Sequence, residues 1–426
     1  MTQYTAPRGT RDILPEETTL WQFVEQKARE IFALYNFREI RTPVFEQTEL
    51  FLRGIGENTD ITSKEMYTFQ DRKGRRLTLR PEGTAAVVRA YLEANRHNQE
   101  PLSKLWYQGP MFRYERPQAG RYRQFHQIGC EVLGAGNAYQ DTEVIAMAQH
   151  FFAALGLKNL EAHINSVGCK ICRPVIKERL KSFLGDNLDN LCEDCRKRFE
   201  TNPLRILDCK NPKCNDFFVG LPDISSVLCA DCKSHFHDVQ DYLNILKIKC
   251  KVNPRLVRGL DYYTKTVFEV ISGQLGAQNA VCGGGRYDNL VQELGGPALP
   301  AVGFAFGLER AVLIMQNQNI TVPEIRPYIL LAPLGGNACG RAAVFAAELR
   351  RGGVPAEIDV SAKGLGAKLK SANKLGVAYV YILGDNELLE KCGQLKNMLT
   401  GEQEKVAFTD LAARLQKNYW KDRGEK

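Results

Sequence analysis

The sequence predicts an α+β fold interrupted by a cysteine-rich insertion and followed by a C-terminal parallel α/β unit. Three observations carry this. Apolar residues recur at helical spacing near the start of the chain and alternate with a period of two in several later segments. Nine of the thirteen cysteines fall within 168–251, a segment with many charges and only short helical patterns. From Tyr328 onward, apolar strands alternate with helical stretches, the order expected of a parallel sheet. At 426 residues the chain is long enough for more than one domain.

The first element is an amphipathic helix over 17–35, with Leu20, Phe23, Val24, Ala28, Ile31, Phe32 and Tyr35 on one face. "FREIRTPVFE" follows as a strand, and Pro43 within it marks an edge or an interface. "RRLTLRPEGTAAVVRAYLEA" reads as a strand, a turn at Pro81 and a helix from about Thr84, so Glu82 and Thr84 lie at a junction that faces a cleft. "WYQGPMFRYE" and "RYRQFHQIGCEVLG" are two strands around the turn residues "RPQAG". The period of two puts Gln127 and Glu131 on the face of Phe125, with His126 opposite. After the insertion, "PRLVRGLDYYTKTVFEVIS" restores strand character, "NAVCGGGRYDNLVQELGG" is glycine-rich, and "PAVGFAFGLERAVLIMQ" is a strand running into a helix. "NQNITVPEIRP" reads as a linker. The domains are thus 1–325, containing the insertion 168–251, and 326–426, whose strands are "YILLAPL", "PAEIDV" and "VAYVYILG" with helices at 338–351 and 362–375.

Composition excludes little. The chain is 44% hydrophobic and 25% charged, an ordinary soluble balance, and its net charge of +8 permits an anionic partner without requiring one. Five of those eight charges belong to the segment from Arg326, with 16 basic and 11 acidic residues. The opening residues lack the apolar stretch of a secretion signal, and no apolar run is long enough to cross a membrane. The expected compartment is the cytoplasm, where cysteines stay reduced.

No GxxxxGK[ST] loop exists, and no GxGxxG opens a helix after a strand, so a nucleotide would have to be held by arginine side chains. Arg113, Arg116, Arg121 and Arg123 are either a solvated strand face or a phosphate grip. Arg258, in apolar strand context beside Tyr262 and Tyr263, is either paired or aimed into a site. Arg310 opens a helix, where the N-terminal dipole already favours anions. Together with the Glu82 carboxylate, these three stations predict an anionic substrate with a cationic end. Cys169–Cys172, Cys192–Cys195 and Cys229–Cys232 are CxxC pairs, and Cys209–Cys214 is a CxxxxC pair. Such spacing suits two structural Cys₄ zinc sites, the alternative being ordinary reduced thiols. Shortest loop closure pairs Cys169 and Cys172 with Cys192 and Cys195, and Cys209 and Cys214 with Cys229 and Cys232; the other choices are a crossed arrangement, or one site with a vestigial second. Cys130, Cys250, Cys282, Cys339 and Cys392 are read as small apolar residues.

"FREIRTPVFE", "FRYERPQAGRYRQFHQIGCEVLG" and "GFAFGLERA" resemble motifs 1, 2 and 3 of class II aminoacyl-tRNA synthetases. "RGLDYY" and "CGGGRYD" resemble the two signatures of the bacterial histidyl-tRNA synthetase family. The resemblance spans nearly the whole chain, with the cysteine-rich insertion as the departure. It implies an antiparallel-sheet catalytic domain, a C-terminal anticodon-binding domain and a homodimer with motif 1 at its interface. It implies activation of L-histidine with ATP and Mg²⁺, then transfer to the 3′ end of tRNA(His). By the same resemblance Arg113 and Arg310 grip ATP phosphates, Arg121 joins them, and Arg258 stabilises charge at the α-phosphate. Glu82 and Thr84 bind the substrate ammonium, Glu131 and Tyr263 bond the imidazole, and Gln127, Tyr262 and Tyr287 complete the pocket. The alternative is a regulatory paralogue acting in histidine biosynthesis. Such paralogues lack the anticodon domain and parts of the catalytic set, which this chain retains.

Overall fold

The computed structural model describes residues 4–423 apart from 57–58, 119, 186–187, 210, 219–223, 276–278 and 324–325. Ala119 of the expected turn, and Glu324 and Ile325 at the expected domain boundary, therefore lie outside the described residues. The chain divides into two compact units, Met1–Val322 and Pro323–Lys426.

The first unit is built on an eight-stranded sheet. Its strands are β1 (Arg38–Glu39), β2 (Ser103–Phe112), β3 (Gln124–Leu133), β4 (Leu160–Ser166), β5 (Cys250–Val252), β6 (Thr264–Ser272), β7 (Ala280–Arg286) and β8 (Ala301–Gly307), in the order β1-β2-β3-β8-β7-β6-β4-β5. The two edge pairings are parallel and the five between them antiparallel. Helices Pro15–Leu34, Ala138–Ala154 and Leu308–Asn317 contribute to the core on one face, where Phe32 sits edge-on to Trp106 and Phe304 at 5.5 and 6.0 Å. Each such fully buried ring is worth roughly 1.5–3 kcal/mol relative to exposure. The opposite face carries the odd-numbered side chains of β3 and a second apolar cluster with Tyr107, Tyr262, Tyr263 and Tyr287.

Two expectations change in detail. "FREIRTPVFE" is not one interrupted strand. Arg38–Glu39 joins the large sheet, while Phe45–Gln47 pairs with Arg76–Leu79 in a separate three-stranded sheet. Arg80 bridges the gap around Pro43, donating to the carbonyls of Thr42 and Pro110 at 2.9 Å each. "PRLVRGLDYYTKTVFEVIS" is strand only from Thr264. Residues 253–263 form a loop between β5 and β6 that is caught by Ile55, whose carbonyl accepts from the Asp261 N–H at 3.1 Å. Arg258, Tyr262 and Tyr263 are thus loop residues.

The insertion is helical, with Cys172–Gly185, Glu193–Thr201, Pro212–Phe217 and Ala230–Ile245 joined by turns that include Pro203–Asp208. The second unit is a five-stranded sheet of β9 (Ile329–Pro333), β10 (Ala356–Ile358), β11 (Tyr379–Leu383), β12 (Cys392–Asn397) and β13 (Gln403–Ala407), ordered β10-β9-β11-β12-β13. Its first three strands are parallel, as the alternation predicts. β12 and β13 add an antiparallel hairpin that the sequence reading passed over, because each carries a single large apolar residue, Leu395 and Val406, too few to show a period of two.

Candidate active site

The site grows from the turn after Pro81. Glu82 caps the helix Thr84–Glu93 with its side chain, accepting from the N–H groups of Thr84 and Ala85 at 2.6 and 2.9 Å. This is the N-terminal cap chemistry that favours a carboxylate. Burial nevertheless outweighs those bonds and pushes the Glu82 carboxyl up. Across the cleft, Glu131 on β3 is 1% exposed. Thr84 Oγ1 donates to its Oε1 at 2.7 Å, and Tyr287 donates to its Oε2. Burial raises the Glu131 carboxyl from 4.5 to about 8 against these two hydroxyl donors. The rings of Tyr262 and Tyr263 stand 4.7 Å apart, with Tyr287 5.4 Å from Tyr262. The geometry therefore brings together Glu82, Thr84, Glu131, Tyr262, Tyr263 and Tyr287. Gln127 lies four residues along the same face of β3, with Oε1 buried and lacking a hydrogen-bond partner among the described residues.

Arg258 lies against Gly283, where any Cβ would clash with its guanidinium. Its Nη1 donates to Glu269 on β6, and its charge sits 6.0 Å from the centre of the Tyr263 ring. Burial works against the cation, but Glu269 and the Tyr263 hydroxyl hold its pKa above the ordinary value. A second group of guanidiniums surrounds Glu115. Arg113 Nη1 is 3.7 Å and Arg121 Nε 2.7 Å from that carboxylate, while Arg113 Nε donates to the Pro81 carbonyl at 2.8 Å. Arg310 donates to the Ala280 carbonyl, and burial followed by the nearby Arg121 charge presses its pKa down. Three cations held close enough to repel one another suit a polyanionic ligand. The other two arginines of that sequence cluster differ: Arg123 stacks on Tyr114 at 3.8 Å, and Arg116 is exposed.

Three site residues were missed from the sequence. Tyr107 on β2 stands opposite Gly129, and a Cβ at Gly129 would strike its ring. Burial, then Glu131 and Glu82, push its hydroxyl well above the usual range. The pairing of a buried tyrosine with a facing glycine was the available signal, but it needs the register. Glu269 and Glu115, the counter-charges of the arginines, were each visible only as a single acid in a strand or turn. On the other face of β3, His126 contacts Glu309 at 3.1 Å and the Trp21 ring at 5.0 Å. Arg286 is wholly buried on Asp141 and Asp288, a structural ion cluster.

The cysteines gather as Cys169, Cys172, Cys229 and Cys232, and as Cys192, Cys195, Cys209 and Cys214. The expected pairing of sequence neighbours is thus corrected to a nested one. Its reason lies in the fold. The chain enters the insertion from β4 and returns to β5, which is paired with β4. The outer pairs are brought together where the insertion begins and ends, and each doubling of a closed loop costs only about 0.6 kcal/mol. The sulfurs of Cys169 lie 3.7 and 3.8 Å from those of Cys172 and Cys229, and those of Cys192 and Cys209 are 3.8 Å apart. Four thiolates at about 2.3 Å from one zinc would stand about 3.8 Å from each other. Backbone N–H groups of Cys229 and Cys192 point at Cys172 Sγ and Cys214 Sγ, at 3.1 and 3.3 Å.

Comparison with known proteins fits this geometry. The family model described as histidyl-tRNA synthetase matches residues 9–178 and 224–311, and an anticodon binding domain matches 329–418. A histidine–tRNA ligase of Syntrophotalea carbinolica is 51% identical over 94% of this chain and 95% of its own. One from Desulforamulus reducens is 50% identical over 96% of this chain and 97% of its own. The crystal structure of apo S. aureus histidyl-tRNA synthetase superposes with a TM-score of 0.82 at 37% identity, covering 97% of this chain and 100% of that one. With its family match, its near-full-length relatives and its antiparallel site, the chain belongs to the histidyl-tRNA synthetase family.

Proposed function

We propose that this protein activates L-histidine with ATP and transfers it to the 3′ end of tRNA(His). The observation that carries the reading is Glu131: a buried carboxyl group, met by the Thr84 and Tyr287 hydroxyls and walled by tyrosines, that can accept a ring N–H as it gives up its proton. A site built to hydrogen-bond a substrate rejects analogues lacking the group by roughly 10⁴–10⁵ without a separate editing step. Glu82 and Thr84 lie where an α-ammonium would be held, with Gln127, Tyr262, Tyr263 and Tyr287 closing the pocket.

In the first step a histidine carboxylate oxygen attacks the α-phosphorus of MgATP, and the bond to pyrophosphate breaks. No covalent nucleophile is needed, and the protein contributes positioning and charge. Arg258 faces the developing charge at the α-phosphate, and Arg113, Arg121 and Arg310 hold the phosphate chain. In the second step a terminal ribose hydroxyl of the tRNA attacks the activated carbonyl, and AMP leaves. The C-terminal unit binds the anticodon. The chain works as a homodimer in the cytoplasm, and the exposed Val44, Phe45 and Phe69 beside Pro43 supply an apolar patch for the interface. Among the described residues no helix is long and apolar enough to cross a membrane. The two Cys₄ groups fit zinc by donor set and sulfur spacing, and a bound ion there would stabilise a segment too rich in charge to build a large core of its own.

ATP–pyrophosphate exchange assayed against each amino acid tests the reading. Histidine alone should support exchange. Exchange with another amino acid would reassign the substrate, and none at all would favour the regulatory paralogue. Relatives matched along nearly their whole length support the catalytic reading over that paralogue.

A further inference from the structure

We propose that Arg173 and Arg205 are positioning residues for amino-acid activation, each tying one cysteine centre to the loop 258–263, so that metal loading of the insertion sets the rate of the first half-reaction. This rests on the reading above, in which that loop supplies Arg258 and two pocket tyrosines.

The loop lies outside the sheet ladder, which begins only at Thr264, so its carbonyls need other partners. The insertion provides three. Arg173 follows the ligand Cys172 directly. Its Nη1 donates to the Asp261 carbonyl at 3.1 Å and its Nη2 to the Tyr263 carbonyl. Arg205 sits in the turn Pro203–Asp208, which ends at the ligand Cys209. Its Nη1 donates to the Arg258 carbonyl at 3.3 Å, and its Nη2 pairs with Asp60 at 3.3 Å. Asn202 adds a bond to the Asp261 carboxylate at 2.6 Å. The loop lies flush against Arg205, since a Cβ on Gly259 would come within 2.9 Å of its Nη1.

The same turn is divided between two cores. Leu204 and Leu207 pack with Val257, Tyr262 and Tyr263, whereas Ile206 packs with Cys195, Cys209 and Cys214. A turn shared in this way transmits the state of the inner centre to the loop. Four cysteines around an ion fix the end of the turn, and four free thiols do not. Arg173 gives the outer centre the same kind of hold one residue from its ligand. Displacement of a catalytic group by about 1 Å can cost up to about 100-fold in rate.

The test uses the full chain purified with zinc. Arg205→Ala should lower kcat for histidine-dependent pyrophosphate exchange by about 10- to 100-fold. Zinc content should stay unchanged, and KM for ATP should move by less than about threefold. Arg205→Lys should recover part of the loss. Cys209→Ser should lose one zinc and show a similar kcat defect, and Arg205→Ala combined with Cys209→Ser should be no slower than Cys209→Ser alone. Wild-type kcat in Arg205→Ala, or defects that multiply, would overturn the proposal. Hydrogen exchange on the wild-type chain guards against a variant that fails to fold. After zinc is stripped by a chelator, peptides spanning 258–263 should lose protection while β9 and β11 keep theirs, and unchanged protection in the loop would overturn the proposal by itself. A wild-type chain that exchanges no pyrophosphate with histidine would remove the functional reading, and this inference with it. An active wild type beside an undiminished Arg205→Ala removes the inference alone.

Discussion

The candidate pocket around Glu131 and the cysteine-rich insertion are held together by opposite means. In the pocket, Glu131 in β3, Tyr287 just after β7 and Thr84 at the start of its helix come from three distant parts of the chain, and the register of β3, β8 and β7 sets Glu131 beside Tyr287. In the insertion, short helices and turns are gathered around two sets of sulfurs. Register acts through a repeat of two residues, so sequence spacing carries geometric information about it. Sulfur clustering needs only that chain ends return to one another. The insertion also contains the stretch 179–223, between the two family matches, and the inner cysteine group lies wholly inside it.

The sharpest break in this comparison is the nested pairing. Replacing Cys169 and Cys229 together by Ser should remove one zinc and leave the other. Replacing Cys169 and Cys192 should remove both. Pairing of sequence neighbours would give the reverse outcomes. Structural zinc is worth about 10–16 kcal/mol in small zinc-dependent peptides, so losing either centre should produce the largest fall in thermal stability of any change considered. Elemental analysis beside a melting curve measures both.

Next comes Arg258, where pocket and insertion meet. Removing one preorganised charge stabiliser costs about 10²–10³ in rate. Arg258→Ala should slow pyrophosphate exchange by that factor while histidine binding, followed by calorimetry, changes far less. Near-normal exchange in the folded variant would take the α-phosphate role from this residue.

What could be read in the sequence follows the same division. The junction carrying Glu82 and Thr84, and the shared face of Gln127 and Glu131, follow from a period of two and a proline turn. Arg258 reads from the sequence as strand, but the apolar residues around it pack as a loop with Leu204 and Leu207. Tyr107 was missed because nothing within its own strand shows that Gly129 faces it. The cysteine pairs were evident, but their partners were not, since the entropy of loop closure varies too slowly with length to choose between arrangements. β12 and β13 were passed over because Leu395 and Val406, one large apolar residue in each, cannot show a period.

A smaller effect sharpens the account of the pocket. The Glu131 carboxyl is raised from 4.5 to about 8, so the folded free protein holds a proton there that the unfolded chain releases. Relative to Glu131→Gln, wild-type stability should therefore fall as pH rises from about 4.5 to 8 and level off above that. A ring N–H bound to Glu131 favours the ionised form. Histidine binding at pH 7 should thus release a proton, seen by calorimetry in buffers of different ionisation enthalpy, and affinity should rise with pH up to about 8. Glu131→Gln should abolish the proton release and weaken binding by roughly 10- to 100-fold, the worth of a hydrogen bond to a charged group. An unchanged pH profile in the variant would remove Glu131 from the ring-binding role.

The smallest effect concerns the second unit, where one lysine shows that charge alone does not make a phosphate contact. Lys363, Lys368, Lys370 and Lys374 lie in or beside the helix Leu365–Leu375, and the +5 charge of the segment from Arg326 makes all four candidate phosphate contacts by sequence alone. Lys363, Lys370 and Lys374 are exposed, but Lys368 is 1% exposed. Its Nζ donates to the carbonyls of Asp359 and Ser361 and lies 3.6 Å from the Asp359 carboxylate, so it braces the chain between β10 and the helix. Each true phosphate contact to single-stranded RNA should contribute about 0.7 to the slope of log K against log salt. Lys370→Ala should lower the slope for tRNA binding by about that amount, without changing pyrophosphate exchange. Lys368→Ala should leave the slope unchanged and lower stability by about 1–3 kcal/mol, because it strands the polar groups that the ammonium satisfies. Filter binding across a salt series, paired with denaturant melts, separates the two. A slope change at Lys368 with no loss of stability would place it on the RNA instead.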